Sequence, residues 1–167
     1  KEIDDAPKNS FDVVIIISVL EHVTDPINFL KNLKVLLKKR GRIIIECPSI
    51  NDPLVQLYGN QSYKNFYYRP VHINYFNKTH LKKIVKFSNL KLIKTFSVLV
   101  YSITNHLGWH FNNKGSSDSE GATNIKFKHL KKQNLLQKIF SKINDVYFHE
   151  LSKQDYADME IVICEKK

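Results

Sequence analysis

Apolar positions along the chain follow two patterns, unbroken β-branched runs and stripes at helical spacing, and their succession organises the sequence. Phe11 to Val19 is a nearly continuous apolar run, the pattern of a strand buried on both faces within a parallel sheet covered by helices. Asp25-Pro26 supplies a helix cap followed by a proline at the first helical position, and Phe29, Leu30, Leu33, Leu36 and Leu37 then recur at helical spacing. Lys31, Lys34, Lys38 and Lys39 take the wet side. Gly41 is expected to stop this helix after Lys38-Lys39-Arg40, whose positive charges suit a helix C-terminus. Arg42 to Cys47 reads as a second buried strand, ended by Pro48. Strand, helix and strand with short connections predict a βαβ unit with parallel strands and a right-handed crossover.

Residues 49–76 are aromatic-rich and irregular, after which Asn77 caps a short helix with Leu81, Ile84, Val85 and Ser88 on one face. Lys91 to Tyr101 reads as a third long strand. Residues 112–121 are small and polar and are expected to form a mobile loop. From about Leu130 to Glu150 a stripe of Leu135, Leu136, Ile139, Phe140, Ile143, Val146 and Tyr147 predicts a helix, and Asp158 to Glu165 closes the chain as a fourth strand. No fixed-period repeat occurs, which excludes a solenoid.

Composition narrows the class without changing this picture. The 167 residues, 43% apolar and 25% charged, suit one globular core and exclude collagen, coiled coil and disulfide scaffold. The longest apolar stretch, Val13 to Leu20, is far short of the about 20 residues that span a bilayer. Two cysteines, Cys47 and Cys164, are too few to staple a secreted domain and point to a reducing, cytoplasmic setting. If the last strand runs antiparallel to the second, they lie near opposite ends of the two, too far apart for a disulfide. The N-terminus has neither an initiator Met nor a charged-then-apolar leader, so a cut point is expected there.

The formal charge of +10 is unevenly spread, because no Asp or Glu occurs between Asp52 and Asp118 while Lys64, Arg69, Lys78, Lys82, Lys83, Lys86, Lys91, Lys94 and Lys114 do. The electropositive face this implies is either a solvated surface or an attractor for a phosphorylated acceptor. Nucleic acid is a weaker partner reading, since no recognised nucleic-acid motif accompanies the charge. Lys126, Lys128, Lys131, Lys132, Lys138 and Lys142 accompany the late helical stripe, which either packs on its own domain or a dimer mate, the favoured reading, or lies on an anionic membrane.

Phe11-Asp12-Val13-Val14 running into Ser18-Val19-Leu20-Glu21-His22-Val23-Thr24-Asp25-Pro26, then Phe29-Leu30, Leu36-Leu37 and Gly41-Arg42-Ile43, resembles the second half of the class I S-adenosylmethionine-dependent methyltransferases. The branch it resembles most includes ubiquinone-biosynthesis O-methyltransferases and small-molecule and glycan methyltransferases, and His72-Ile73-Asn74-Tyr75-Phe76 before the Asn77 helix extends the similarity, which fades beyond Val100. The resemblance implies an α/β, Rossmann-like methyltransferase sheet. The chain's strands would be its fourth to seventh, with the last strand antiparallel and inserted between the fifth and sixth. Residues 1–167 would then be a single partial domain, with 102–157 a loop and helical insertion. The first three strands, with the family's glycine-rich turn and ribose-binding acid, have no counterpart, since no G-x-G occurs anywhere. The chain is therefore expected to be an acceptor-side fragment, inactive by itself, whose strand at Val13 to Ile17 lies at a bare edge able to pair with a second copy or a rearranged segment.

Ligands in such sheets sit beyond the carboxyl ends of the parallel strands. By resemblance Ser18, Val19 and Leu20 would flank the methionine part of S-adenosylmethionine, and Glu21 would face the acceptor. His22 is the sharpest candidate base, since imidazole titrates near neutrality and can take a proton from an attacking hydroxyl; Glu21 and His22 could instead merely hold the next helix. His72, lying in sequence among Tyr58, Tyr63, Phe66, Tyr67, Tyr68, Tyr75 and Phe76, is the second candidate base, with Tyr68 and Tyr75 as pocket walls and Arg69 as a cation for phosphate or carboxylate. These aromatics could equally be ordinary core. Ubiquinone-type relatives carry a further carboxylate three residues before the Glu-His pair and bind a divalent metal there. This chain has Ser18 at that place, so no metal is expected. His106 and His110 have helical spacing but no neighbouring acid or cysteine to complete a ligand set. The function implied is methyl transfer to an oxygen or nitrogen of a small-molecule or sugar acceptor; the alternative is a noncatalytic binding module for anionic glycolipid or nucleic acid.

Overall fold

A computed structural model describes residues 6–114 and 133–167. The chain divides into two compact units, one of residues 1–50, 70–97 and 159–167, the other of residues 51–69 and 98–158. The expected 102–157 insertion lies within the second unit. The expected loop beyond Lys114 and the lysines from Lys126 to Lys132 fall outside the described residues.

The first unit is built on a four-stranded sheet of order β1-β2-β4-β3, formed by β1 (Phe11–Ile17), β2 (Leu37–Pro48), β3 (Leu90–Val98) and β4 (Met159–Lys166). β1 and β2 run parallel, with Val13 opposite Arg42 and Ile16 opposite Ile45. β4 runs antiparallel to β2, Cys164 facing Ile43 and Glu160 facing Cys47. The two free, buried cysteines thus lie four positions apart along the ladder. Burial pushes both thiols up, that of Cys164 to about 12, so neither is a reactive thiolate.

α1 (Pro26–Leu36) starts where Asp25 accepts from Asn28 N, and α4 (Lys78–Phe87) starts where Asn77 accepts from His80 N. Leu30, Leu33 and Leu36 of α1 and Leu81, Ile84 and Val85 of α4 join Ile16, Ile43, Ile45, Cys47, Val162 and Cys164 in one core. Within it, Glu160 is buried and accepts from Ser49 Oγ at 2.8 Å and Ser97 Oγ at 2.7 Å, which offsets the cost of burying a carboxylate.

Two expectations are corrected here. The helix ends at Leu36 rather than Arg40, because Leu37 is already paired with Phe11 in the parallel ladder. Lys38 to Gly41 bulge out of that ladder, with Lys38 Nζ on Asp12 Oδ2 at 2.7 Å and Arg40 left-handed at φ 63°. Gly41 serves close approach: a Cβ there would stand 3.1 Å from Phe11 O and 3.0 Å from Lys38 O. β1 is also not buried on both faces. Ile16 is covered, but Phe11, Val13, Ile15 and Ile17 are 39–60% exposed.

The second unit contains two short helices where the sequence pattern gives irregular chain, α2 (Pro53–Gln56) and α3 (Gln61–Tyr67), and, in the expected loop and helical insertion, the short α5 (Ile103–Asn112) and the long α6 (Gln133–Lys153). Asp52, Asn60 and Ser102 cap the three short ones. The inward face of α6 is narrower than the apolar stripe: Asn144 and Leu151 are buried and Leu136, Phe140 and Tyr147 half-buried, whereas Leu135, Ile139, Ile143 and Val146 are exposed.

A buried polar network ties this unit together. Asp52 Oδ1 accepts from Leu54 N and Val55 N, and Oδ2 from Tyr63 Oη at 2.8 Å. Asp158 Oδ2 accepts from Val100 N and Tyr101 N, and its Oδ1 lies 3.7 Å from His106 Nε2. His106 Nδ1 meets Tyr147 Oη, which meets Tyr58 Oη at 3.0 Å. Asp158→Ala strands two part-buried backbone N–H donors, and chemical denaturation is expected to show a loss of about 1–3 kcal/mol.

Candidate functional site

At the carboxyl end of β1 the chain reverses at Ser18, whose φ of 51° is left-handed and whose N donates to Glu46 O at 3.0 Å. Val19 follows, 37% exposed, and Leu20 to His22 form one 3-10 turn that buries Leu20 and Glu21 and leaves His22 accessible. A left-handed serine costs roughly 1 kcal/mol relative to glycine. Ser18→Gly is therefore expected to raise the melting temperature of the unliganded chain by a few degrees, readable by calorimetry.

The turn is laced to residues 71–74, which lie some fifty positions later in the chain. Glu21 O accepts from Ile73 N at 3.0 Å and Asn74 N at 3.1 Å, Asn74 Nδ2 donates to Val23 O at 2.6 Å, and His22 Nδ1 lies 2.7 Å from Val71 O. Since a carbonyl only accepts, His22 donates from Nδ1, and in the neutral ring the lone pair is on Nε2. This lacing sets the His72 ring edge-on to His22, centroids 4.7 Å apart, with Tyr75 6.0 Å beyond His72.

Glu21 forms the floor. Its side chain is 2% exposed, its Oε1 stands 4.0 Å from His22 Nε2, and neither carboxylate oxygen has a hydrogen-bond partner. Burial raises its pKa, its own backbone amide and then His22 oppose the rise, and Glu46 adds to it. One donor atom each from Glu21, His22 and His72 lies within 4.8 Å of the others.

Of the residues singled out from sequence, the structure gathers Ser18, Val19, Leu20, Glu21, His22, His72 and Tyr75 in the first unit. The aromatics expected around His72 divide between the units, because the segment before Pro70 packs within the second unit. There Tyr63 and Phe66 lie on Trp109 with centroids 5.1 and 5.6 Å away. Tyr68 stands edge-on to Tyr67, and Arg69 lies over the Phe66 ring at 4.2 Å and donates from Nε to Phe66 O. Phe76 is buried in the core of the first unit. Sequence pattern gave no sign of three donors at one place, because spacing along the chain carries no information on a contact made through backbone hydrogen bonds fifty residues apart.

Comparison with known proteins agrees with this geometry. The chain matches a family described as a methyltransferase domain over residues 1–95. No curated protein matches it. Among solved structures it is similar to a SAM-dependent methyltransferase from Archaeoglobus fulgidus, with 18% identity, TM-score 0.54, and 98% of this chain against 63% of that one. It is also similar to phosphoethanolamine N-methyltransferase 2 of Haemonchus contortus in complex with S-adenosyl-L-methionine, with 15% identity, TM-score 0.53, and 97% against 34%. The chain thus spans at most 63% of the length of these relatives. The parallel β1 and β2, the antiparallel β4 between β2 and β3, and the match over residues 1–95 together place this chain in the methyltransferase-domain family, with a Rossmann-like fold.

Proposed function

We propose that this chain is the acceptor-facing part of a methyltransferase that moves the methyl group of S-adenosylmethionine to an oxygen or nitrogen of a small-molecule or sugar acceptor. The observation that carries this reading is the accessible His22 Nε2 held by the Val71 carbonyl at the carboxyl end of β1, where ligands of parallel sheets sit. Ser18 to Leu20 line the cofactor side, and Glu21, His72 and Tyr75 the acceptor side. The acceptor atom attacks the methyl carbon in line with the departing sulfur, and His22 takes the proton where one must leave. Holding the two reactants at contact distance supplies most of the rate.

The bare flank of β1 supports the view that another part of the protein completes the sheet. Phe11, Val13, Ile15 and Ile17 form an exposed apolar row on an edge strand, and such rows associate. By itself the chain is expected to self-associate through this edge. Light scattering checks this: Ile15→Lys should turn a dimer or larger species into a monomer, and a wild-type chain already monomeric would refute it. The two buried free thiols fit a reducing, cytoplasmic setting, and no described helix is long and apolar enough to cross a membrane.

Incubating the intact protein with methyl-labelled S-adenosylmethionine and panels of hydroxylated and amino acceptors tests the activity. Label in an acceptor, lost with His22→Ala, supports the reading. If the cofactor neither binds nor reacts, while anionic vesicles or nucleic acid bind in a salt-sensitive way, a binding module is favoured instead.

A further inference from the structure

We infer that the first unit carries a second ligand site, a hollow that binds a phosphate group, at the end of the sheet opposite Ser18 to His22. Asn9 just before β1, Lys31 and Lys34 of α1, Asn89 between α4 and β3, and Lys166 at the end of β4 line it. Its volume of about 380 Å³ is in the range of pockets that hold small ligands. Three lysines thus surround one hollow, and no described residue lining it is acidic.

Two of the lysine heads are fixed in advance. Lys34 Nζ donates to Asn89 O at 3.0 Å, and Lys166 Nζ donates to Asn9 Oδ1 at 2.8 Å and to Leu37 O at 2.6 Å. All these acceptors are neutral oxygens, so no formal charge is cancelled, and an ammonium with three donors keeps at least one for a ligand. Lys31 has no hydrogen-bond or ion-pair partner among the described residues.

Lysines here have an ordinary use too, because the C-terminal ends of α1 and α4 border the hollow, and each helix end carries about half a negative charge. Magnitude shows that this use is not enough. Two helix ends supply about one negative charge, which leaves an excess of about two positive charges among three lysines. Two carbonyls at the end of α1 are also already met by backbone, Val35 O by Asn9 N and Leu36 O by Ser10 N. A doubly charged phosphate balances that excess where a single carboxylate does not, and lysine binds phosphate well as a point charge. Such a group comes on a soluble molecule or on a lipid headgroup. The inference does not depend on the proposed methyl transfer, whose residues lie at the other end of β1.

Calorimetric titration of the full chain with inorganic pyrophosphate tests the soluble source, and sedimentation with phosphatidylcholine vesicles, with and without phosphatidic acid, tests the lipid source. Both are run in about 0.1 M salt, where charges more than about 10 Å apart are largely screened. One pyrophosphate bound per chain, or retention only by the vesicles with phosphatidic acid, is expected. In whichever arm binds, Lys31→Gln and Lys34→Gln should each weaken binding by about tenfold. Lys94→Gln removes the same charge about 16 Å along β3 from Asn89 and should leave binding unchanged. Lys31 anchors no other described residue, so Lys31→Gln should keep the fold, which thermal melting verifies. Absence of binding in both arms, or binding that Lys94→Gln weakens as much as Lys31→Gln and Lys34→Gln do, or that neither of these two weakens, would overturn the site.

Discussion

His22→Ala in the intact enzyme is expected to lower kcat by about 10²–10⁴-fold, the range for removal of a positioned general base, with affinity for S-adenosylmethionine nearly unchanged. The split between kcat and cofactor binding follows from position. In the proposed reading Ser18 to Leu20 line the cofactor side, whereas His22 comes after them, past the buried Glu21. Added imidazole should restore part of the rate if the ring acts as a free base. Glu21→Gln should lower the rate only modestly, because Nε2 and Oε1 are 4.0 Å apart and share no hydrogen bond. A His22→Ala enzyme with an unchanged kcat would remove His22 from the chemistry.

The second large effect is on stability and comes from the second unit. Burial, reinforced by the Asp158 carboxylate, raises the pKa of Asp52 from its ordinary 3.8 to about 7, against the opposing pull of the Tyr63 hydroxyl and His106. The folded chain therefore binds a proton at Asp52 more tightly than the unfolded chain does. Stability from this group is complete below pH 3.8 and is lost as the pH climbs to about 7. At 1.36 kcal/mol per pH unit the full span is on the order of 4 kcal/mol. Urea unfolding at pH 5 and pH 8 should find the chain less stable at the higher pH. Asp52→Asn can keep the helix cap and, with its amide, donate to the Tyr63 oxygen, and it should flatten most of that slope. His106 and other histidines also titrate in this window, so the difference between the variant and the wild type is the quantity to read. Equal slopes in both would show that Asp52 is not the group responsible.

The parts of this structure that short-range pattern specifies are those the sequence made legible. The apolar runs of β1 and β2, the Asp25-Pro26 start of α1 and the Asn77 cap of α4 are local signals, and the elements form where those signals lie. Asp52-Pro53 repeats the Asp25-Pro26 signature, and Asn60 and Ser102 are equally good caps, yet the apolar pattern does not reveal the helices they start. α2 has only four residues and α3 is crowded with aromatics, so neither shows a clear apolar stripe. The end of α1 was misjudged because Lys38-Lys39-Arg40-Gly41 is also what a helix C-terminus looks like. Pairing of Leu37 with Phe11 overrode that local preference.

At the site, the Ser18 to His22 half was visible because it follows a strand directly. The place of His72 was not, since it depends on Ile73 N and Asn74 N finding the Glu21 carbonyl. Nor could the pattern of β1 alone reveal that Val13, Ile15 and Ile17 would lack a cover.

In the proposed reading the exposed row of Phe11, Val13, Ile15 and Ile17 is the face on which a cofactor-binding part docks. The most direct test measures the melting temperature of a longer chain, extended upstream to include that part, with and without saturating S-adenosylmethionine. Cofactor binding to the native state should raise it by several degrees, and Ile15→Lys, which charges the docking strand, should abolish the rise. A longer chain whose melting temperature does not move at millimolar S-adenosylmethionine would contradict the account.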